Sequence, residues 1–298
     1  NYTAENVTDF AWFADKSFIV RTDTIQLATH TVKATCYILP ENAELYTNSM
    51  RFIKKAVRFY SGQLGEYPYP VVNVVSCPKE LVYVTSMEYP MITLMCEETE
   101  EELDATIAHE IGHNWLQAIL ATNERDHGWM DEGINTYYER KYRQLYYPVA
   151  EEKNNGKINL TGLNGAGAHL RLANLIALKK DQPIETTSED FSSANYGAVV
   201  YEKTADWMDA LEQKVGAVTM HKIMQQYFKE YGFKHPQPAD FKKVAEEVGA
   251  KDLSVNFNKL YQTGLLDSSK LHKPTKFKFI LPGFDDKYNY ITAAIPVF

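Results

Sequence analysis

Two histidines four residues apart, with a glutamate beside the first, are the residues of this chain best placed to do chemistry: His109-Glu110-Ile111-Gly112-His113. On a helix, residues four apart share a face and lie about 6 Å apart along the axis. Both imidazoles can therefore reach one metal ion. After eighteen intervening residues comes Glu132, within Trp129-Met130-Asp131-Glu132-Gly133. A catalytic zinc takes three protein ligands and keeps a fourth position for water. His109, His113 and Glu132 supply that set, for one zinc per chain. Glu110 projects at an angle to His109, beside the water rather than on the metal, where a general base is needed. A chance His-Glu-x-x-His is expected in roughly one chain in a hundred of this composition, and the placed glutamate makes chance rarer still.

The surroundings agree. Thr99 and Glu102 form a capping-box pattern ahead of a helix from about 100 to 121. Ile107, Ile111, Trp115 and Ile119 recur at helical spacing and give that helix a buried face. Ala105, Ala108 and Gly112 make a small-residue stripe. Glycine inside a helix costs about 1 kcal/mol against alanine, so Gly112 implies a close neighbour.

Strand-like runs come first: Phe18-Ile19-Val20, Val32 to Tyr37, Val71 to Val75, Leu81 to Thr85 and Met91 to Met95. A helix over 42–63 interrupts them and ends at Tyr67-Pro68-Tyr69-Pro70. From Glu100 the pattern is mostly helical, over 100–121, 131–146, 165–179, 199–214, 217–231, 238–248 and 254–263. Residues 275–281 return to strand character. Strands followed by helices predict an α+β fold, a small N-terminal β-sheet followed by a mostly helical lobe.

With 45% hydrophobic and 23% charged residues, the 298-residue composition is that of a globular protein. A net charge of −8 with no Lys/Arg cluster argues against nucleic acid as a partner. No apolar run is long enough for a transmembrane segment. Cys36, Cys77 and Cys96 form no disulfide framework, although one bridge is open to them. Asn1, Asn6 and Asn159 head N-x-Ser/Thr sequons, a pattern common by chance. The chain starts at Asn1 with no signal-peptide pattern, which reads as a processed form or a fragment. The reading leans to an exported or cell-envelope location.

Four motifs together carry a family likeness. They are His109-Glu110-x-x-His113 with Trp115 and Glu132-Gly133; Leu64-Gly65-Glu66-Tyr67-Pro68-Tyr69-Pro70; Ser86-Met87-Glu88-Tyr89-Pro90; and Tyr201-Glu202-Lys203. Taken in their order along the chain they resemble the catalytic domain of the aminopeptidase N and leukotriene hydrolase family of zinc metallopeptidases, gluzincins with a thermolysin-like fold. The resemblance implies that Glu88 binds a substrate's free α-ammonium and that Tyr201 donates to the tetrahedral oxyanion. Glu139, seven residues after Glu132, would orient a ligand histidine from the same helix face. His127 reads as a loop residue. Thr85 and Tyr89 stand where the family has Gly and Asn around Glu88, and Thr204 replaces a Gly after Tyr-Glu-Lys. The likeness also implies domain limits: 1–38 as the last strands of an upstream β-domain, 39–265 as the peptidase domain, 266–298 as the start of a downstream β-segment.

The expected function is that of a zinc aminopeptidase acting on peptides, within a larger polypeptide whose remaining domains would be its partners. A thermolysin-like endopeptidase and a non-catalytic binding module on the same fold are the alternatives.

Overall fold

In a computed structural model of the chain, the described residues are 3–81, 85–148, 166–266, 275–280 and 290–295. Strand β1 (Ile19–Gln26) runs antiparallel to β2 (Thr31–Ile38), which buries Val32, Ala34, Cys36 and Ile38 at alternate positions. A strand with one buried face shows this period of two. Helix α1 (Ser49–Gln63) then carries the chain across to β3 (Val71–Ser76), which pairs in parallel with β2. Next come β4 (Met87–Tyr89) and β5 (Ile92–Met95); β5 is parallel to β3 and antiparallel to β4. The sheet order is β1-β2-β3-β5-β4, so the strand bearing Glu88 forms an edge.

Strands β1 and β2, within the 1–38 stretch expected as the last strands of an upstream β-domain, are hydrogen-bonded into this same sheet, and Ile25, Val32, Ala34, Cys36 and Ile38 join its core. Two local expectations change. The 42–63 helix begins with tight 3₁₀ turns at Pro40–Asn42 and Leu45–Asn48 before α1. The strand expected at Leu81 to Thr85 is not found among its described residues: Lys79–Leu81 is a 3₁₀ turn, 82–84 lie outside the described residues, and Thr85 precedes β4. Cys77 and Cys96, just after β3 and β5, form a disulfide, while Cys36 is free and buried.

The helical lobe starts with α2 (Glu100–His113), α3 (Ile134–Tyr146) and α4 (Ala166–Ala177). It continues with a short α5 (Ser193–Asn195), α6 (Thr204–Val215), α7 (Ala217–Tyr231), α8 (Pro238–Gly249) and α9 (Ser254–Asn258), which ends in a 3₁₀ turn. Strands β6 (Thr275–Ile280) and β7 (Tyr290–Ile295) pair antiparallel; β7 was not foreseen. No described helix is long and apolar enough to cross a membrane. The sequons at Asn1 and Asn159 lie outside the described residues.

Aromatic packing fixes α2 against the sheet side. Trp115 stacks on Tyr60 of α1 with ring centroids 5.4 Å apart, and its indole N–H donates to the carbonyl of Gly65 at 2.7 Å. Tyr67 packs on the same indole and donates its hydroxyl to Val71 O at 3.0 Å. The Gly65–Pro70 motif is therefore a bracket joining α1, β3 and α2. In the first turns of α2, buried Asp104 is ion-paired with Lys55 of α1 and accepts from the Tyr142 hydroxyl of α3 at 2.6 Å. A buried carboxylate so satisfied fixes the mutual position of three helices.

Candidate active site

The Thr99 side chain caps α2 by accepting from the Glu102 N–H at 3.3 Å. The expected return bond is replaced: the Thr99 hydroxyl donates to the Glu102 carboxylate at 2.9 Å. Ile107, Ile111, Trp115 and Ile119 are all buried, as their spacing predicts, and turn His109 and His113 toward α3. Gly112 has the close neighbour its placement implied. A Cβ there would lie 2.2 Å from Asn135 Oδ1 and 2.4 Å from the Tyr60 hydroxyl. Asn135 in turn donates to the His109 carbonyl at 2.7 Å, so the α2–α3 crossing is locked beside the first histidine.

Each helical element that brings a side chain to this site has a π-helical stretch beside it: Asn114–Ile119 after His113, Trp129–Gly133 around Glu132, and Tyr196–Lys203 around Tyr201. Such insertions re-aim side chains and are frequent at functional sites.

The three expected ligands come together. His109 Nε2 and His113 Nε2 are 3.1 Å apart, and Glu132 Oε2 is 3.3 Å from each. For zinc bonds of about 2.0–2.1 Å, a tetrahedron has edges of about 3.3–3.4 Å. The donor triangle is therefore of the size one zinc ion needs. The outer ring nitrogens explain its polarity. His109 Nδ1 lies 3.1 Å from Glu139 Oε2, and His113 Nδ1 lies 2.6 Å from Asp131 Oδ1. With a metal bound and both carboxylates ionised, each Nδ1 would donate to its carboxylate and each Nε2 would present its lone pair to the metal. Two facing lone pairs and a carboxylate oxygen repel one another unless a cation lies among them. The residues present fit zinc.

Electrostatics point the same way. Burial opposes charge on His109, but Glu132 and Glu139 outweigh it and raise the imidazole to about 10. Burial likewise opposes the Glu139 carboxylate, yet His109 and Arg143 hold it down to about 2. Glu132 is kept well below the usual carboxylate range by the two imidazoles, despite its burial. Anions so strongly committed to a cation favour a divalent ion at the same place. Glu110 is different. Burial pushes it up to about 8, against the pull of both histidines, and its Oε2 is buried without a hydrogen-bond partner. It is a carboxyl group beside this three-residue cluster, and its Oε2 is committed to no neighbour among the described residues.

The other expected residues are distributed as follows. Glu88, on edge strand β4, offers a carboxylate oxygen within 4.8 Å of ligand atoms of His113 and Asp131. Tyr201 is at the site, its ring stacked against His109 with centroids 6.3 Å apart. Its hydroxyl donates to Glu132 Oε1 at 2.6 Å. Glu139 meets His109 as its helix position implied, and Arg143 Nε donates to its other oxygen at 2.7 Å. His127 is paired with Glu185, away from the donor triangle. Asp131, to which the sequence assigned no role, lies against His113 Nδ1; its adjacency to Glu132 was the available signal. The rest of the tyrosine motif is structural: Glu202 pairs with Arg140 of α3, and buried Lys203 with Asp181 at 2.8 Å. Thr204 packs on Gly133, where a Cβ would lie 2.3 Å from Thr204 Cγ2. That contact seats the Tyr201 stretch against the Glu132 stretch.

A helix bearing His-Glu-x-x-His, with a third carboxylate from the next helix and a sheet edge alongside, defines a metallopeptidase domain of the gluzincin class. The model of the Peptidase family M1 domain matches residues 49–260, and the chain belongs to that family. Aminopeptidase M1-C of Oryza sativa subsp. japonica is 23% identical over 221 residues, 69% of this chain but 24% of the rice protein. Among solved structures, an M1 zinc metallopeptidase from Deinococcus radiodurans superposes with a TM-score of 0.61 at 20% identity, covering 83% of this chain and 52% of the other. Aminopeptidase A of Legionella pneumophila, in complex with aspartic acid, gives 0.65 at 15% identity, with 89% and 30% covered. These likenesses establish the fold. The chain spans about a quarter of the rice relative's length and about half of the Deinococcus chain.

Proposed function

We propose that this domain is the catalytic unit of a zinc aminopeptidase, with one zinc held by His109, His113 and Glu132. The observation that carries the reading is the donor triangle of two imidazole nitrogens and a carboxylate oxygen, flanked by Glu110, whose buried Oε2 has no hydrogen-bond partner among the described residues. Zinc bound there would polarise the scissile carbonyl and make water nucleophilic near neutral pH.

The chain's own residues do the rest. Glu110 takes a proton from the attacking water and later returns it to the leaving amine. Tyr201 directs its hydroxyl to the site from the Glu132 side and is the donor for the developing oxyanion. Glu88, at the sheet edge next to His113, holds the substrate's α-ammonium and so fixes the cut one residue in. The names of the relatives, aminopeptidases among them, support this reading. A larger polypeptide with further domains is supported by the partial coverage of those relatives. An exported or cell-envelope location is supported by the Cys77–Cys96 disulfide, since such bonds persist in oxidising compartments.

The test is kcat/KM for a matched pair of peptides, one with a free N-terminus and one N-acetylated, in the wild-type protein and in Glu88→Ala. The free peptide should be strongly preferred, and Glu88→Ala should raise KM for it by a factor matching about 2–5 kcal/mol. Equal cleavage of both peptides by the wild-type protein would replace the aminopeptidase by an endopeptidase.

A further inference from the structure

Asp131 and Glu132 are consecutive, yet they hold opposite nitrogens of one ring: Asp131 Oδ1 is 2.6 Å from His113 Nδ1, and Glu132 Oε2 is 3.3 Å from His113 Nε2. The π-helical stretch Trp129–Gly133 contains both residues. The two ligand histidines are thus each backed by a carboxylate, but the backing differs. Glu139 shares its charge with Arg143 at 2.7 Å and keeps about a fifth of its side chain exposed. Asp131 is fully buried, and its Oδ2 has no hydrogen-bond partner. Among the described residues, His113 Nδ1 is the hydrogen-bond partner its side chain has.

We propose that Asp131 is the positioning residue that sets the zinc affinity of this site through His113. The inference rests on the zinc reading above. Asp131 acts through a short hydrogen bond in a dry surrounding, where such a bond is strongest. It fixes the Nδ1–H tautomer, aims Nε2 at the metal and raises the basicity of that nitrogen. Because Arg143 neutralises Glu139 and no cation is bonded to Asp131, the His113 branch contributes more of the effect than the His109 branch.

The experiment uses the full chain with zinc alone as the probe. Zinc affinity is measured by chelator competition for the wild-type protein, Asp131→Asn, Asp131→Ala and Glu139→Gln. Loss of such a supporting carboxylate typically costs about 10–100-fold in metal affinity. Asp131→Ala should fall in that range. Asp131→Asn keeps an acceptor without the charge, so it should recover part of the loss while remaining weaker than Glu139→Gln. The visible spectrum of the cobalt-substituted protein should shift in Asp131→Asn, which a purely structural role would not cause. Wild-type zinc affinity in both Asp131 variants, whatever their melting temperatures, would overturn the proposal. A wild-type protein that binds no zinc would instead overturn the zinc reading beneath it.

Discussion

The hydroxyl of Tyr201 lies 2.6 Å from Glu132 Oε1, while Oε2 of the same carboxylate faces the two histidines. One carboxylate therefore joins the donor proposed to stabilise the transition state to the two histidines proposed to hold the metal. Burial and the neighbouring Glu132 charge raise the phenol far above its ordinary value, so it remains a proton donor throughout the working pH range.

Tyr201→Phe should then have two effects. Removing a donor aimed at transition-state charge should lower kcat by about 10²–10³. KM should change little, because the interaction is made only in the transition state. Zinc affinity should also fall, by up to about tenfold, because Glu132 loses a bond that orients it. Steady-state kinetics with metal competition measures both. A variant unchanged in kcat and in zinc affinity would make Tyr201 a packing residue.

Glu110→Gln should retain zinc and lose turnover by about 10²–10⁴, the usual contribution of a positioned acid–base group. The side chain is buried and Oε2 has no hydrogen-bond partner, so a neutral isostere should not lower the melting temperature of the metal-free protein. Metal analysis beside kcat checks the assignment. Loss of zinc would make Glu110 a ligand.

Gly133→Ala should destabilise by about 1–3 kcal/mol, the usual cost of overpacking. The new Cβ would meet Thr204 Cγ2 at 2.3 Å and the Val200 carbonyl at 2.5 Å, and the backbone atom cannot swing aside. The strain falls between Glu132 and Tyr201, so kcat should drop along with the melting temperature. Thermal unfolding and kinetics on one preparation test this; unchanged stability would mean the two π-helical stretches slide apart freely.

The meeting of His109 and His113, and the helix that carries them, were legible because helical periodicity maps spacing directly onto geometry. His109, His113 and the buried row from Ile107 to Ile119 follow from a turn of 3.6 residues. Glu139 was legible for the same reason on α3. Asp131 was not, because a regular α-helix points consecutive residues about 100° apart, whereas here two neighbours reach one ring across a π-helical stretch. The Tyr201–Glu132 bond was hidden too, since its partners are 69 positions apart and meet only because Gly133 and Thr204 pack together. In the sheet, alternation located β2, β3 and β5, but β4 is three residues long and offers too short a pattern to read. The three cysteines left pairing open; only the ends of the parallel neighbours β3 and β5 bring Cys77 and Cys96 together.

The most direct test of the account is anomalous diffraction at the zinc edge from crystals of the zinc-loaded protein. One strong peak per chain is expected, about 2.0–2.2 Å from His109 Nε2, His113 Nε2 and a Glu132 oxygen, and it should vanish in Glu132→Ala crystals grown at the same zinc concentration. A peak elsewhere, or one that persists at full occupancy without Glu132, would contradict the assignment of these three residues as the metal site.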